Sequence, residues 1–459
     1  MKTTRRMKTL LLLLILGLPL FCAKAPNARA ISVVDTLAAD NSTPAPNPTI
    51  KESTDTSKGT VYSIGGTSYS YRGDPIHLVY ESKDINLKKT PAVTINGTVM
   101  VPLKQSFANQ GIEVKYKYRK KLKKITIYKN GKFVNLYLNQ STMEANQKKI
   151  TLPVSPMQVT YKKSKVKTIL VPLKSIADAL GINYLWDSSI KTAQLSKPVL
   201  NFIGRKSYTR YSWSFANYAA LQYRRNPRVA LKEYKRLINP KKDTTYGFQY
   251  LRLNEYREVD ENKFISTFNY YVNNACRNQR RGSSYSVLYG KGKVMLAAAK
   301  KYNIDPMYFV SQTFLESGYG TSHLARGNRI KKVALPSFAR SGGKFITKSI
   351  KKSTTVYNLY GIKAYDSDPY TGATSYAYYQ GWTTVDKAIY GAAKFISSNY
   401  FQASPSQNTI FKFRFNPSNV SHQYATSPAY AENIAQRMML FSSCYSPKAK
   451  FVYDYPKYQ

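Results

Sequence analysis

Apolar residues follow several different rhythms along this chain, and each rhythm predicts a different kind of element. Leu10 to Phe21 form one uninterrupted apolar run behind the basic residues Lys2, Arg5, Arg6 and Lys8. The run is too short for a mature membrane-spanning helix. Ala28-Arg29-Ala30 follows with small residues at the two positions a signal peptidase reads, so residues 1–30 are expected to be a removable export leader. Residues 31–74 are dominated by Ser, Thr, Pro, Asn and Asp and read as a linker that cannot bury enough apolar surface to order itself. Alternation with a period of two takes over across 75–197, the signature of strands. From 198 the spacing turns helical, first in a tyrosine- and arginine-rich lead-in over 198–290 and then in a denser region over 291–446. The last stretch, 447–459, is expected to be a loosely held tail.

The strand-rich region contains a repeat. Val101-Pro102-Leu103-Lys104, with Gly111-Ile112 behind it, recurs as Val171-Pro172-Leu173-Lys174 with Gly181-Ile182, and Tyr116 corresponds to Trp186. Each copy predicts a strand, a proline-started short helix (Leu103 to Gln110; Leu173 to Leu180), a glycine stop and a return strand. Lys132 to Leu138 and Lys149 to Val154 add strands between the copies. In the lead-in, Pro227 to Ile238 and Asn262 to Ala275 have helical spacing.

The strongest chemical signal lies in 291–446. Val294 to Tyr302 predicts one helix; Asp305-Pro306 then supplies an N-cap and a first-turn proline for a second, from Met307 to about Glu316, closed by Ser317-Gly318-Tyr319-Gly320. Phe309, Gln312, Thr313 and Glu316 share one stripe of that helix. An acid at the end of an apolar helix, facing a glycine-opened turn, is desolvated yet reachable, and desolvation raises a carboxyl pKa toward the range a general acid needs. The same spacing also fits a carboxylate that only closes a helix end.

Two resemblances sharpen this picture. The doubled "VPL" pattern over 75–197 resembles the copper amine oxidase N-terminal-like domain of secreted enzymes, and it implies a wall-attachment, spacing or purely structural role rather than oxidase chemistry. The blocks Gln312-Thr313-Phe314-Leu315-Glu316-Ser317-Gly318-Tyr319-Gly320-Thr321-Ser322, Tyr357-Asn358-Leu359-Tyr360-Gly361-Ile362, Ala364-Tyr365-Asp366, Gly381-Trp382-Thr383 and His422-Gln423-Tyr424-Ala425-Thr426-Ser427-Pro428 resemble the endo-β-N-acetylglucosaminidase family of bacterial autolysins. That resemblance implies a multidomain α+β protein: a lysozyme-like, mainly helical catalytic domain with a small β-lobe, preceded by the two-repeat, β-rich domain. It implies hydrolysis of the β-1,4 bond after N-acetylglucosamine in peptidoglycan, with Glu316 as acid, Tyr424 as the late catalytic-site tyrosine and no cofactor. Asp366 is the expected second carboxylate; Asp368 is its neighbour in a turn where local backbone bonding is the default. Gln312, Asn358, Tyr360, Gly361, Tyr365 and Trp382 are the expected substrate-binding positions. Two departures stand out. Many relatives carry an acid in the β-lobe near Tyr379-Gln380, where this chain has none, and Ser427 stands where the late block usually has Asp, a serine that is still expected to cap a helix starting at Pro428. Without the lobe acid, Glu316 assisted by the substrate's own acetamido group becomes a second mechanism. Asp386 is expected to belong to a helix cap.

Charge fits export to a wall. The formal net charge is +46, of which Lys2, Arg5, Arg6, Lys8, Lys24 and Arg29 belong to the leader. Such a charge needs a polyanion partner or salt. Nucleic acid is disfavoured by the leader, leaving glycan strands and wall polyanions such as teichoic acids. Residues 326–356 carry Arg326, Arg329, Lys331, Lys332, Arg340, Lys344, Lys348, Lys351 and Lys352 and no acid, so this insertion is either a solvated strip or a polyanion contact beside the groove. After the leader only Cys276 and Cys444 remain, and spacing does not decide whether they pair. His77, His323 and His422 match no metal motif, which excludes a zinc amidase, and no Cys motif with a placed His supports a cysteine peptidase. The rivals to a glucosaminidase are a lytic transglycosylase on the same strands and a non-catalytic wall-binding protein.

Overall fold

The computed structural model describes residues 59–107, 115–188, 190–197, 204–279 and 281–459. The expected leader, most of the linker, and the end of the first repeat helix with Gly111-Ile112 lie outside the described residues. A β-rich half occupies the chain up to Ser196 and a mainly helical half follows. No described helix is long and apolar enough to cross a membrane.

The two Val-Pro-Leu segments lie side by side in one sheet. Strands Thr98–Pro102 and Lys167–Pro172 pair antiparallel about Val101 opposite Val171, with Pro102 opposite Leu170 and Met100 opposite Pro172. In the second copy the helix Leu173–Leu180 starts after Pro172 and stops at Gly181, whose φ of 70° is left-handed as a glycine stop requires. The return strands diverge: Lys115–Arg119 and Lys124–Lys129 enter a five-stranded sheet, whereas Asn183–Asp187 and Thr192–Ser196 join His77–Tyr80 in a four-stranded one.

The linker expectation extends too far. Thr60–Ile64 and Thr67–Tyr71 form a hairpin that pairs through Tyr62 with Tyr161 at the edge of the six-stranded sheet. Tyr62 is fully buried, and the alternating Tyr62, Tyr69 and Tyr71 about a Gly-Gly turn supply the apolar face that the Ser/Thr-rich composition hides.

In the helical half, Phe215–Arg225, Leu231–Leu237 and the long Glu261–Asn278 form the lead-in, and their apolar faces pack into the same cores as the region that follows. The tail is not loose: Val452–Lys457 pairs in parallel with Arg205–Arg210, Tyr453 is buried, and Asp454 makes a buried ion pair with Lys412 at 2.6 Å. Phe451, Tyr453 and Tyr455 give that segment an alternating aromatic face worth burying. The basic insertion folds into a hairpin, Asn328–Ala334 against Thr347–Val356, that packs on the helix Pro369–Tyr379 through Ser375 Oγ and the Tyr379 hydroxyl. Tyr379-Gln380 therefore ends a helix rather than standing within the lobe. Cys276 and Cys444 are buried and unbonded to each other; the first thiol faces the Ser283 carbonyl and the second the Thr267 hydroxyl. Burial pushes the Cys444 thiol up to about 11.

The two halves share a core. Leu185 and Ile190 of the second repeat pack into the main cluster of the helical half, and the helix Tyr430–Phe441 lies against strands Asn183–Asp187 and Thr192–Ser196.

Candidate active site

The acid stands where local chemistry ends a helix. The helix Pro306–Ser317 begins on Asp305, whose carboxylate accepts from the Tyr308 amide at 3.0 Å and is itself held by Arg257 at 2.9 Å. Its residues from Pro306 to Phe314 are all buried; Leu315 and Glu316 reach the surface, Glu316 only partly. Gly318, Tyr319 and Gly320 then take φ of 55°, 58° and 77° in succession. For tyrosine that left-handed conformation costs roughly 1–2 kcal/mol, and the surroundings hold it. The Ser317 hydroxyl accepts from the Gly320 amide at 2.8 Å, the Ser286 hydroxyl donates to the Tyr319 carbonyl at 2.6 Å, and the Tyr319 ring packs on Phe314.

Glu316 is aimed by two donors. Its Oε1 accepts from Gln312 Nε2 at 2.8 Å and from the Tyr424 hydroxyl at 3.0 Å. Gln312 is fixed in turn, because its Oε1 accepts from the Tyr430 hydroxyl at 2.7 Å. Tyr424 and Tyr430 stack at 5.4 Å, and Tyr400 packs on Tyr424 at 5.2 Å with His422 on its other contacts at 4.9 Å. Burial first, and then the charge of Glu316, hold Tyr424 well above the ordinary phenol range; Tyr400 is raised by the same two causes. Tyr430 is raised by burial and then by Tyr308 and Glu316, and Tyr308 by burial and then by Tyr360, Tyr400 and Glu316. These phenols therefore stay protonated as donors, and the acid sits in a ring of neutral hydroxyls.

The other acids beyond residue 290 are almost all committed elsewhere. Asp305 pairs with Arg257, Asp386 with Lys291, Glu432 with Arg236 and Asp454 with Lys412. Asp368 caps the helix Pro369–Tyr379 by accepting from the Thr371 amide, the local role expected of it. Asp366, exposed in the turn just before that helix, is the remaining carboxylate. A cleft of about 420 Å³ lined by Tyr302, Gln380, Trp382, Lys387 and Tyr390 does not include Glu316 or Tyr424. The hydrogen bonds converging on Glu316 lie outside the lining of this cleft.

With this geometry in view, residues 292–442 match the family described as mannosyl-glycoprotein endo-beta-N-acetylglucosaminidase, and residues 79–166 match the copper amine oxidase N-terminal domain. The helical half contains a glucosaminidase domain. The chain is 32% identical over 293 residues to a bifunctional autolysin of Staphylococcus epidermidis, covering 60% of this chain and 19% of that protein. It is 33% identical over 222 residues to a beta-N-acetylglucosaminidase of Bacillus subtilis, covering 48% and 21%. It thus spans about a fifth of the length of these curated relatives. A crystal structure of a major bifunctional autolysin is covered in full, against 56% of this chain, at 26% identity and a TM-score of 0.38.

The glucosaminidase domain brings some of the expected site residues together and sets others apart. Glu316, Gln312 and Tyr424 form one hydrogen-bonded cluster. Tyr360 is buried beneath it, its hydroxyl 2.9 Å from Thr313 Oγ1, so it braces the acid's helix. Asn358 is buried and spends its amide on the carbonyls of Ile362 and Ala373 and on the Ile362 amide, which shapes the loop instead of facing a ligand. Gly361, at φ 58°, turns that loop. Trp382 is 5% exposed, with its indole on Gly391, where a Cβ would stand 2.0 Å from Nε1; it is core more than groove. Tyr365 is partly exposed and lies under Arg340 at 4.3 Å. Two cap expectations shift. Thr384, not Asp386, caps the helix Val385–Ile396, and the last helix begins at Tyr430 without a side-chain cap, Ser427 contributing its carbonyl to the Tyr430 amide. Sequence reasoning passed over Tyr430, Tyr400 and Tyr308, since among 40 tyrosines none of them announces itself.

Proposed function

We propose that this chain is an exported peptidoglycan hydrolase, an endo-β-N-acetylglucosaminidase of autolysin type that cleaves the β-1,4 bond between N-acetylglucosamine and N-acetylmuramic acid. The observation that carries the reading is the half-buried Glu316 carboxyl, oriented by Gln312 and Tyr424 at the edge of a phenolic ring. Glu316 donates its proton to the glycosidic oxygen as the bond from that oxygen to the anomeric carbon breaks, and the resulting carboxylate later takes a proton from the attacking water. Tyr424 holds the carboxyl in place in both states because its own proton is not released. Asp366 is the one uncommitted acid that could steady the developing cation; in its absence the substrate acetamido group serves. Tyr365, Gly361 and the exposed edge of the lobe are the remaining positions for sugar contacts. The helical domain is read as lysozyme-like, the leader places the protein outside the cell, and the basic hairpin is a contact for wall polyanions such as teichoic acids.

The test is digestion of purified walls by the chain and by Glu316→Gln, with the fragments read by mass spectrometry. Fragments ending in reducing N-acetylglucosamine, lost in the variant, support the reading. Full activity in the variant sinks it. The scarcity of a second acid favours one rival, a lytic transglycosylase, whose fragments end in an anhydro-muramic sugar.

A further inference from the structure

The turn that presents Glu316 is fastened from the other half of the molecule. Tyr319, three residues after the acid and in a left-handed conformation, sends its hydroxyl to Asp187 Oδ2 at 2.6 Å. Asp187 ends the return strand Asn183–Asp187 of the second repeat. Arg437, on the helix that also carries Tyr430, donates from one guanidinium nitrogen to Asp187 Oδ2 at 2.5 Å and to the Tyr319 hydroxyl at 2.7 Å. Asp187 is 1% exposed, Tyr319 2% and Arg437 9%, so a charge from the β-rich half is sealed inside the glucosaminidase core. Buried charges persist only where they are paired and bonded. Here Arg437 is neutralised by an acid that residues 292–442 do not supply. The interface continues outward through Asn278 Nδ2 to Thr192 Oγ1 at 2.9 Å and the Tyr270 hydroxyl to Asp84 at 3.0 Å.

We infer that Asp187 of the repeat domain is a positioning residue for the acid at Glu316: it holds Tyr319, and through it the strained Gly318–Gly320 turn, in the geometry that keeps Glu316 on Gln312 and Tyr424. The repeat domain is thus part of the hydrolytic unit and not a detachable wall anchor. This rests on the role proposed for Glu316.

The experiment compares the full chain with Asp187→Asn and Tyr319→Phe by hydrogen–deuterium exchange and by kinetics on soluble glycan oligomers. Asp187→Asn is expected to speed amide exchange over 317–322 at least tenfold, leave the Glu261–Asn278 helix unchanged, and lower kcat about tenfold with KM within twofold. Tyr319→Phe, which leaves the ion pair in place, carries the test if Asp187→Asn does not fold, with the same changes at smaller size. Unaltered exchange over 317–322 in a folded variant overturns the inference, as does a change confined to KM. Failure of the wild-type chain to release fragments would count against the proposed function alone, since the exchange measurement judges the coupling without activity.

Discussion

Two carboxylates serve the same helix end, and they are treated in opposite ways. Glu316 is partly exposed and accepts from two neutral donors, Gln312 and Tyr424. Asp187 is sealed, bonded to a phenol and paired with a guanidinium. An acid that must gain and lose a proton cannot be locked against an arginine, which would fix it as the anion. An acid that must fix a strained turn benefits from such a lock. On the proposed function, equal chemistry thus splits into a reactive group and a structural one by partner and burial.

The largest effect that sharpens this contrast is on rate. Glu316→Gln should lower wall-lytic kcat by roughly 10²–10⁴-fold while the thermal unfolding midpoint moves little, since a half-exposed neutral replacement keeps both donors' partner. Asp187→Ala should fall mainly on stability, costing about 3–5 kcal/mol in denaturant unfolding because Arg437 is left buried and uncompensated, with a smaller loss of rate than Glu316→Gln. Equal stability losses at the two positions would erase the distinction. Next comes Tyr424→Phe, which removes one bond to the acid; a bond to a charged group is worth about 1.5–3 kcal/mol, or roughly 10- to 100-fold in kcat, measured on the same oligomers. The smallest effect is alkaline. Burial raises Tyr424, Tyr430 and Tyr308 in the folded chain, whereas the unfolded chain releases phenol protons near pH ~10. Stability is therefore intact below about pH 10 and declines as pH rises past it, and the tyrosinate absorbance of these rings should appear only together with unfolding.

What could be read in the sequence was local. Asp305-Pro306 at one end and Gly318 at the other bracket the acid's helix with capping chemistry confined to a dozen residues, and the structure has that helix at Pro306–Ser317. The second repeat helix, Leu173–Leu180 with its Gly181 stop, is legible for the same reason. The groups that fasten the site are not: Tyr424 lies 108 residues from Glu316, Tyr430 lies 118 from Gln312, and Asp187 lies 132 from Tyr319. Nothing in a short window distinguishes these residues from their many equals. The hairpin at Thr60–Tyr71 and the strand Val452–Lys457 fall between these cases. Their alternating tyrosines were visible, but polar composition outweighed them.

The pairing of Val101 with Val171 has a consequence for how such a domain can arise. Because the pairing is symmetric about that one contact, with Pro102 opposite Leu170 and Met100 opposite Pro172, the edge is isologous: a molecule carrying a single copy would present to a second molecule the same surface that the two copies present to each other here. One copy alone should self-associate as a two-fold dimer whose assembly depends on concentration, and joining two copies in one polypeptide removes that dependence.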